Sequence, residues 1–224
     1  MTSLADISAA LTNLEKWRDC APRTRNEELA RVNWTYDGDK HVEAEQGLDV
    51  ILMGFNPGAG RGATPTKLAP GEKRYRTYCQ KLSEGLGKGF VMAELVPMST
   101  QNEAELQSRF GNLDDLICAG APVNMAVIKY HKPKVVFQIG LGHLDLISTS
   151  YSLADLHIEL KRPKKKDETL LRHFQLNVGT RGIPWIAIKH FSSFGFSGDD
   201  RTAIRNYVGG LLGRADNPQH QPQP

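Results

Sequence analysis

The sequence predicts an α/β fold: a single domain with a central four-stranded parallel sheet flanked by helices. Three observations predict it. Four apolar runs of seven or eight residues, LDVILMG (48–54), FVMAELV (90–96), PKVVFQIG (133–140) and IPWIAIKH (183–190), lack the polar alternation of a half-exposed strand. Such runs suit strands buried on both faces. Helical stretches separate them, and strands alternating with helices imply parallel pairing through right-handed crossovers. Finally, 224 residues at 40% hydrophobic and 24% charged are enough for one ordinary core and too apolar for wholesale disorder.

The elements follow in order. Residues 3–18 place Leu4, Ile7, Leu11, Leu14 and Trp17 at helical spacing, with Thr2 or Ser3 as cap. A polar stretch runs to about Gln46, and the first strand (48–54) ends in a glycine. Residues 72–86 read as a helix closed by Gly85, Gly87 and Gly89, and the second strand (90–96) is stopped by Pro97. Helices over 103–110 and 113–130 lead to the third strand (133–140), and 183–190 is the fourth. The domain is expected to span 1–212. The segment 213–224 is expected to be a disordered tail, since RADNPQHQPQP has no large apolar residue.

Several function classes are excluded at this level. No apolar run approaches the roughly 18 residues of a membrane span, and Asp6, Glu15 and Asp19 make residues 1–19 unlike a secretion signal. Cys20, Cys79 and Cys118 are odd in number and far apart, which argues against a disulfide framework, a zinc ribbon or a four-cysteine cluster. His131, His143, His157 and His173 form no metal-binding spacing, and there is no GxSxG string. A cytoplasmic monomer with no metal and no cofactor is expected.

The net charge is only +3, but the cations cluster. KRPKKK (161–166) puts five basic side chains around one proline, and Arg61, Lys67, Lys73, Arg74 and Arg76 face a single acid, Glu72. Local charge density of this kind suits a polyanion. Two solvated surface loops would read the same way.

In an open parallel sheet, ligands bind beyond the carboxyl ends of the strands. Two of those ends carry chemistry. Gly54-Phe55-Asn56-Pro57-Gly58 follows the first strand, where Pro57 stiffens the turn and Asn56 can orient a water or a polar ligand. An ordinary strand-to-loop turn has the same composition. The segment contains neither GxxxxGK[ST] nor GxGxxG, so a nucleoside-triphosphate loop is not indicated. After the fourth strand, HFSSFGFS (190–197) offers an imidazole that can donate to charge developing on a ligand and serines that can hold a phosphate. Phe194 and Phe196 flank a glycine there and could enter a base stack; alternatively both pack in the core and His190 is a buried, satisfied imidazole.

GFNPG and HFSSFGFS, 134 residues apart from Asn56 to His190, together resemble the two signature motifs of the uracil-DNA glycosylase superfamily over residues 48–208. The Asn-Pro-Gly form looks most like its mismatch-specific and single-strand-selective branches. The resemblance implies that Asn56 positions the attacking water and that His190 stabilises the departing base. It also implies that the backbone at Phe55 contacts the base, that Tyr75 in KRYRTY stacks on it, and that Ser192 and Ser193 grip a phosphate. Phe194 or Phe196 would be the wedge, while Lys164, Lys165 and Lys166 would meet the DNA backbone.

This sequence departs from the family pattern twice. Phe191 stands where a proline usually follows the histidine, and Glu94 stands where an asparagine usually reads the base edge. A carboxylate accepts from the N4 amino group of cytosine, whereas it faces O4 of uracil acceptor to acceptor. The expectation is a monofunctional DNA glycosylase that flips out a modified pyrimidine. Its substrate would be a 5-substituted cytosine such as phage DNA carries, and its role defence. The alternatives are a uracil or mismatch repair glycosylase, a catalytically silent DNA-binding module on the same fold, and a small-molecule hydrolase.

Overall fold

A computed structural model describes residues 3–20, 47–55, 70–96, 98, 102–191 and 196–216. The elements run α1 (Leu4–Cys20), β1 (Val50–Gly54), α2 (Pro70–Ser83), β2 (Phe90–Glu94), α3 (Glu103–Phe110), α4 (Leu113–His131), β3 (Val135–Ile139), α5 (Leu144–Tyr151), β4 (Ala154–Arg162), β5 (Lys165–Val178), β6 (Arg181–Ile188) and α6 (Gly198–Asp216). At α1, α3 and α4 side chains satisfy N–H groups at the helix start. At α1 the Asp6 carboxylate accepts the Ser3 N–H at 2.6 Å. Asn102 caps α3 by accepting from Glu105 N at 2.9 Å, and Asn112 caps α4 by accepting from Asp115 N at 2.8 Å.

All six strands form one sheet in the order β2-β1-β3-β6-β5-β4. The four expected strands are its parallel half, β2-β1-β3-β6. The expected count of four is corrected to six, because β4 and β5 add an antiparallel hairpin beside β6. Continuous apolarity does not mark this hairpin. β4 is an edge strand whose residues are mostly exposed, so its sequence, ADLHIELKR, mixes charge with apolar residues. KRPKKK is therefore not a loop: Pro163 and Lys164 make the turn, and the flanking basic residues belong to the two strands. α6 continues to Asp216, into the first residues of the expected tail; residues 217–224 lie outside the described residues.

Helices cover both faces. Ile51, Met53, Val91, Ala93, Leu95 and Val136 point to α1, α3, α4 and α5, where they meet Ile7, Leu14, Leu106 and Ile128. Val50, Leu52, Met92, Phe137 and Ile186 point the other way, to Cys79 and Leu82 on α2 and Ile204 and Val208 on α6. This strict alternation on the parallel strands decides which residues at the strand ends share a cleft. The turn into β2 is tightened at Gly87, where the Asp49 carboxylate accepts the Lys88 N–H at 2.6 Å. A Cβ on Gly87 would lie 2.4 Å from that same carboxylate.

Candidate active site at the carboxyl edge of the parallel strands

Register pairs Gly54 with Glu94, Met53 with Gln138, and Ile139 with Ile188, so the four parallel strands end at one level. Glu94 follows Met92 on the α2–α6 side, whereas Ala93 and Leu95 are buried in the opposite core. Its carboxylate lies across β1: a Cβ on Gly54 would fall 2.2 Å from Oε2 and 3.2 Å from Oε1. The glycine that opens GFNPG is thus the space that the Glu94 carboxylate fills. With 1% of its surface exposed, Glu94 offers its oxygens away from bulk water.

Behind β2, the buried Asn124 of α4 donates through Nδ2 to the Glu94 carbonyl at 2.9 Å and to the Tyr151 hydroxyl at 2.7 Å. That bond holds the strand end and so the direction in which Glu94 leaves it. Nothing in the apolar pattern of α4 distinguishes Asn124 from its neighbours, and sequence reasoning did not single it out.

The same side of the edge gathers aromatic rings. Tyr75 of α2 stacks on the His190 imidazole with centroids 6.0 Å apart and planes at 30°. Phe191, buried, touches Tyr75 at 5.6 Å, Tyr78 at 5.4 Å and the edge of Phe196 at 5.5 Å. Phe191 is the hub of this cluster. Phe196 packs against the core beside it. Burial holds the His190 imidazole below its ordinary pKa, so the neutral ring is favoured at neutral pH. A neutral imidazole donates from one nitrogen only, which suits it to a developing negative charge.

The structure does not bring every expected residue here. The Phe55 side chain packs on the opposite face, 5.4 Å from the His143 ring, while its carbonyl accepts from Val96 N at 2.8 Å. Asn56, Ser192, Ser193 and Phe194 lie outside the described residues, as do Arg61 and Lys67.

Beyond the Leu171–Ile188 pair, six residues of β5 continue past the edge, about 20 Å at about 3.3 Å per residue. The hairpin therefore stands beside the site, but much of its charge is paired. Lys164 Nζ is 2.6 Å from Asp199, Lys165 Nζ is 3.0 Å from Glu168, and Arg162 is buried against Asp200. Lys166 makes no ion pair with a described residue.

Among the described residues, no group of three or more His, Cys, Asp or Glu is placed to hold a metal ion, and no helix is long and apolar enough to cross a membrane. The chain matches no protein-family model and no curated protein sequence.

Proposed function

We propose that this protein is a monofunctional DNA glycosylase that extrudes a pyrimidine nucleotide and hydrolyses its N-glycosidic bond. The observation that carries the reading is the convergence of Tyr75, His190 and Glu94 on one side of the strand edge where GFNPG begins. An aromatic face, a neutral donor and a buried acceptor suit the flat face and polar rim of a nucleobase. Stacked bases repeat at about 3.4 Å, so a base between Tyr75 and His190 would need about 7 Å, more than their 6.0 Å separation. As the two rings stand, no base fits between them.

In this mechanism Asn56 holds a water against the anomeric carbon. The C1′–N bond breaks with its electron pair on the base, and the His190 N–H stabilises that charge. The water oxygen bonds to C1′ and its proton leaves to solvent, giving an abasic site. Glu94 accepts from an exocyclic amino group, which favours a cytosine derivative over uracil by roughly 1–3 kcal/mol. A 5-substituent must supply discrimination against ordinary cytosine. Phe194 takes the wedge role, because Phe196 is engaged with Phe191. Lys164 can exchange its exposed carboxylate partner for a phosphate, and Lys166 has no carboxylate partner among the described residues to exchange.

The test is alkali-labile cleavage of labelled oligonucleotides carrying uracil, 5-hydroxymethylcytosine or glycosylated hydroxymethylcytosine, with Asn56→Ala as control. Release by the wild type, lost in Asn56→Ala at unchanged DNA affinity, supports the reading. Salt-sensitive DNA binding with no abasic product from any substrate refutes it and leaves a DNA-binding module. Absence of DNA binding points to a small-molecule hydrolase.

A further inference from the structure

Arg162 belongs by sequence to the basic run, yet its side chain is 3% exposed. Its guanidinium forks onto Asp200, itself 2% exposed, with Nε to Oδ1 at 3.1 Å and Nη2 to Oδ2 at 2.7 Å. Nη1 donates to Glu168 at 2.9 Å. Asp200 Oδ2 also accepts the Ser197 N–H at 2.7 Å and the Ser197 hydroxyl at 3.0 Å, and the Asp200 N–H donates back to Ser197 Oγ at 3.3 Å. Glu168 accepts in addition from Lys189 Nζ. Lys189 immediately precedes His190, and Ser197 ends the segment that His190 opens. Lys189 and Ser197, on either side of His190, are therefore both fastened to one ion cluster near the turn of the β4–β5 hairpin.

We infer that Arg162 is a positioning residue for His190: its fork and third donor tie together Asp200 with Ser197 on one side and Glu168 with Lys189 on the other, the described residues that flank the imidazole. The inference rests on the glycosylase reading only for its kinetic readout. Two parallel N–H donors fix direction as well as distance, which a lysine ammonium cannot do. The cluster also occupies the first turn of α6 with Asp199 and Asp200. That helix end is thereby closed to a phosphate.

The experiment uses Arg162→Lys, which keeps the charge and loses the fork, and Asp200→Asn, which keeps the shape and weakens the pair. Glu159→Gln, on the same hairpin but outside the cluster, is the control. Each is measured for DNA affinity, for single-turnover base release at saturating DNA, and for the His190 titration by NMR. A displacement of about 1 Å at a reacting group costs up to about 100-fold. Arg162→Lys should therefore slow release at least roughly tenfold with affinity unchanged, and should raise the His190 pKa toward its ordinary value as water reaches the ring.

Wild-type release and an unmoved His190 titration in Arg162→Lys would overturn the inference. A loss confined to affinity would overturn it too, because it would make the cluster part of the DNA interface. If Arg162→Lys does not fold, Asp200→Asn decides by the same readings. If the wild type releases no base at all, the glycosylase reading fails, and the His190 titration alone decides the positioning role.

Discussion

Replacing Gly54 by alanine adds one methyl group at the point where β1 meets Glu94. The nearest atoms to that Cβ all belong to Glu94: Oε2 at 2.2 Å, Cδ at 3.0 Å and Oε1 at 3.2 Å. Ordinary contacts between heavy atoms begin at about 3.5 Å, so Oε2 has to retreat by about 1 Å. Gly54 lies in a strand, and a strand backbone accepts alanine; the obstacle is the carboxylate alone. A long side chain on the surface would swing aside, but Glu94 is 1% exposed and has packed neighbours on its own face. Overpacking of this sort costs about 1–3 kcal/mol.

The assay is a double-mutant cycle by urea denaturation. Gly54→Ala should cost about 1–3 kcal/mol in the wild type and under about 0.5 kcal/mol beside Glu94→Ala, where the obstructing atoms are gone, leaving a coupling term of about 1–3 kcal/mol. Equal costs in the two backgrounds would refute the contact. They would also remove the argument that Glu94 crosses β1 at the mouth of the site.

Three further outcomes are expected. Base release should hold steady as pH rises through 6.5 and decline only on the acid side, below the ordinary histidine range, since burial lowers the His190 pKa and the neutral form is the working one; a rate that falls as pH rises through 6.5 would show that the protonated ring is needed. Asn124→Asp should destabilise by about 1–2 kcal/mol more than Asn124→Leu in thermal or urea unfolding, because it aims a buried acceptor at the Glu94 carbonyl in place of a donor; equal losses would deny the clamp. The Glu168 carboxyl, held at about 2 by hydrogen bonds from Lys189, Arg162 and Lys165, stays ionised in the fold while the unfolded chain takes a proton near pH 4.5. Its contribution is therefore complete above that pH and is lost as pH falls toward 2. Glu168→Gln should flatten the decline of stability between pH 5 and pH 2 (a pH-dependent denaturation series), and an unchanged decline would rule the cluster out as its source.

Much of the fold is legible because the physics that builds it is local. The helices expected over 103–110 and 113–130 are found within a residue of expectation, and the structure shows Asn102 and Asn112 capping them. Parallel strands covered on both faces must be apolar throughout, so 48–54, 90–96, 133–140 and 183–190 stand out from their surroundings. The β4–β5 hairpin escapes the same logic, since an exposed edge strand is free to carry the charges of ADLHIELKR. The cations of KRPKKK do not reveal their pairing in sequence either, because Arg162, Lys164 and Lys165 meet Asp200, Asp199 and Glu168 only after the chain folds.

At the candidate site the division is similar. The sequence by itself determined the α/β class, the four parallel strands and the two loaded strand ends at Gly54 and His190, because apolar runs and turn residues act over a few positions. The side of the sheet on which Glu94 projects, and its fit into the gap at Gly54, depend on pairing register between β1 and β2, to which 35 intervening residues contribute no local cue. The stacking of Tyr75 on His190, the clamp from Asn124 and the fork from Arg162 to Asp200 were decided by tertiary structure alone. Each joins residues from separate elements, and only the packing of α2, α4 and α6 on the sheet brings them within reach.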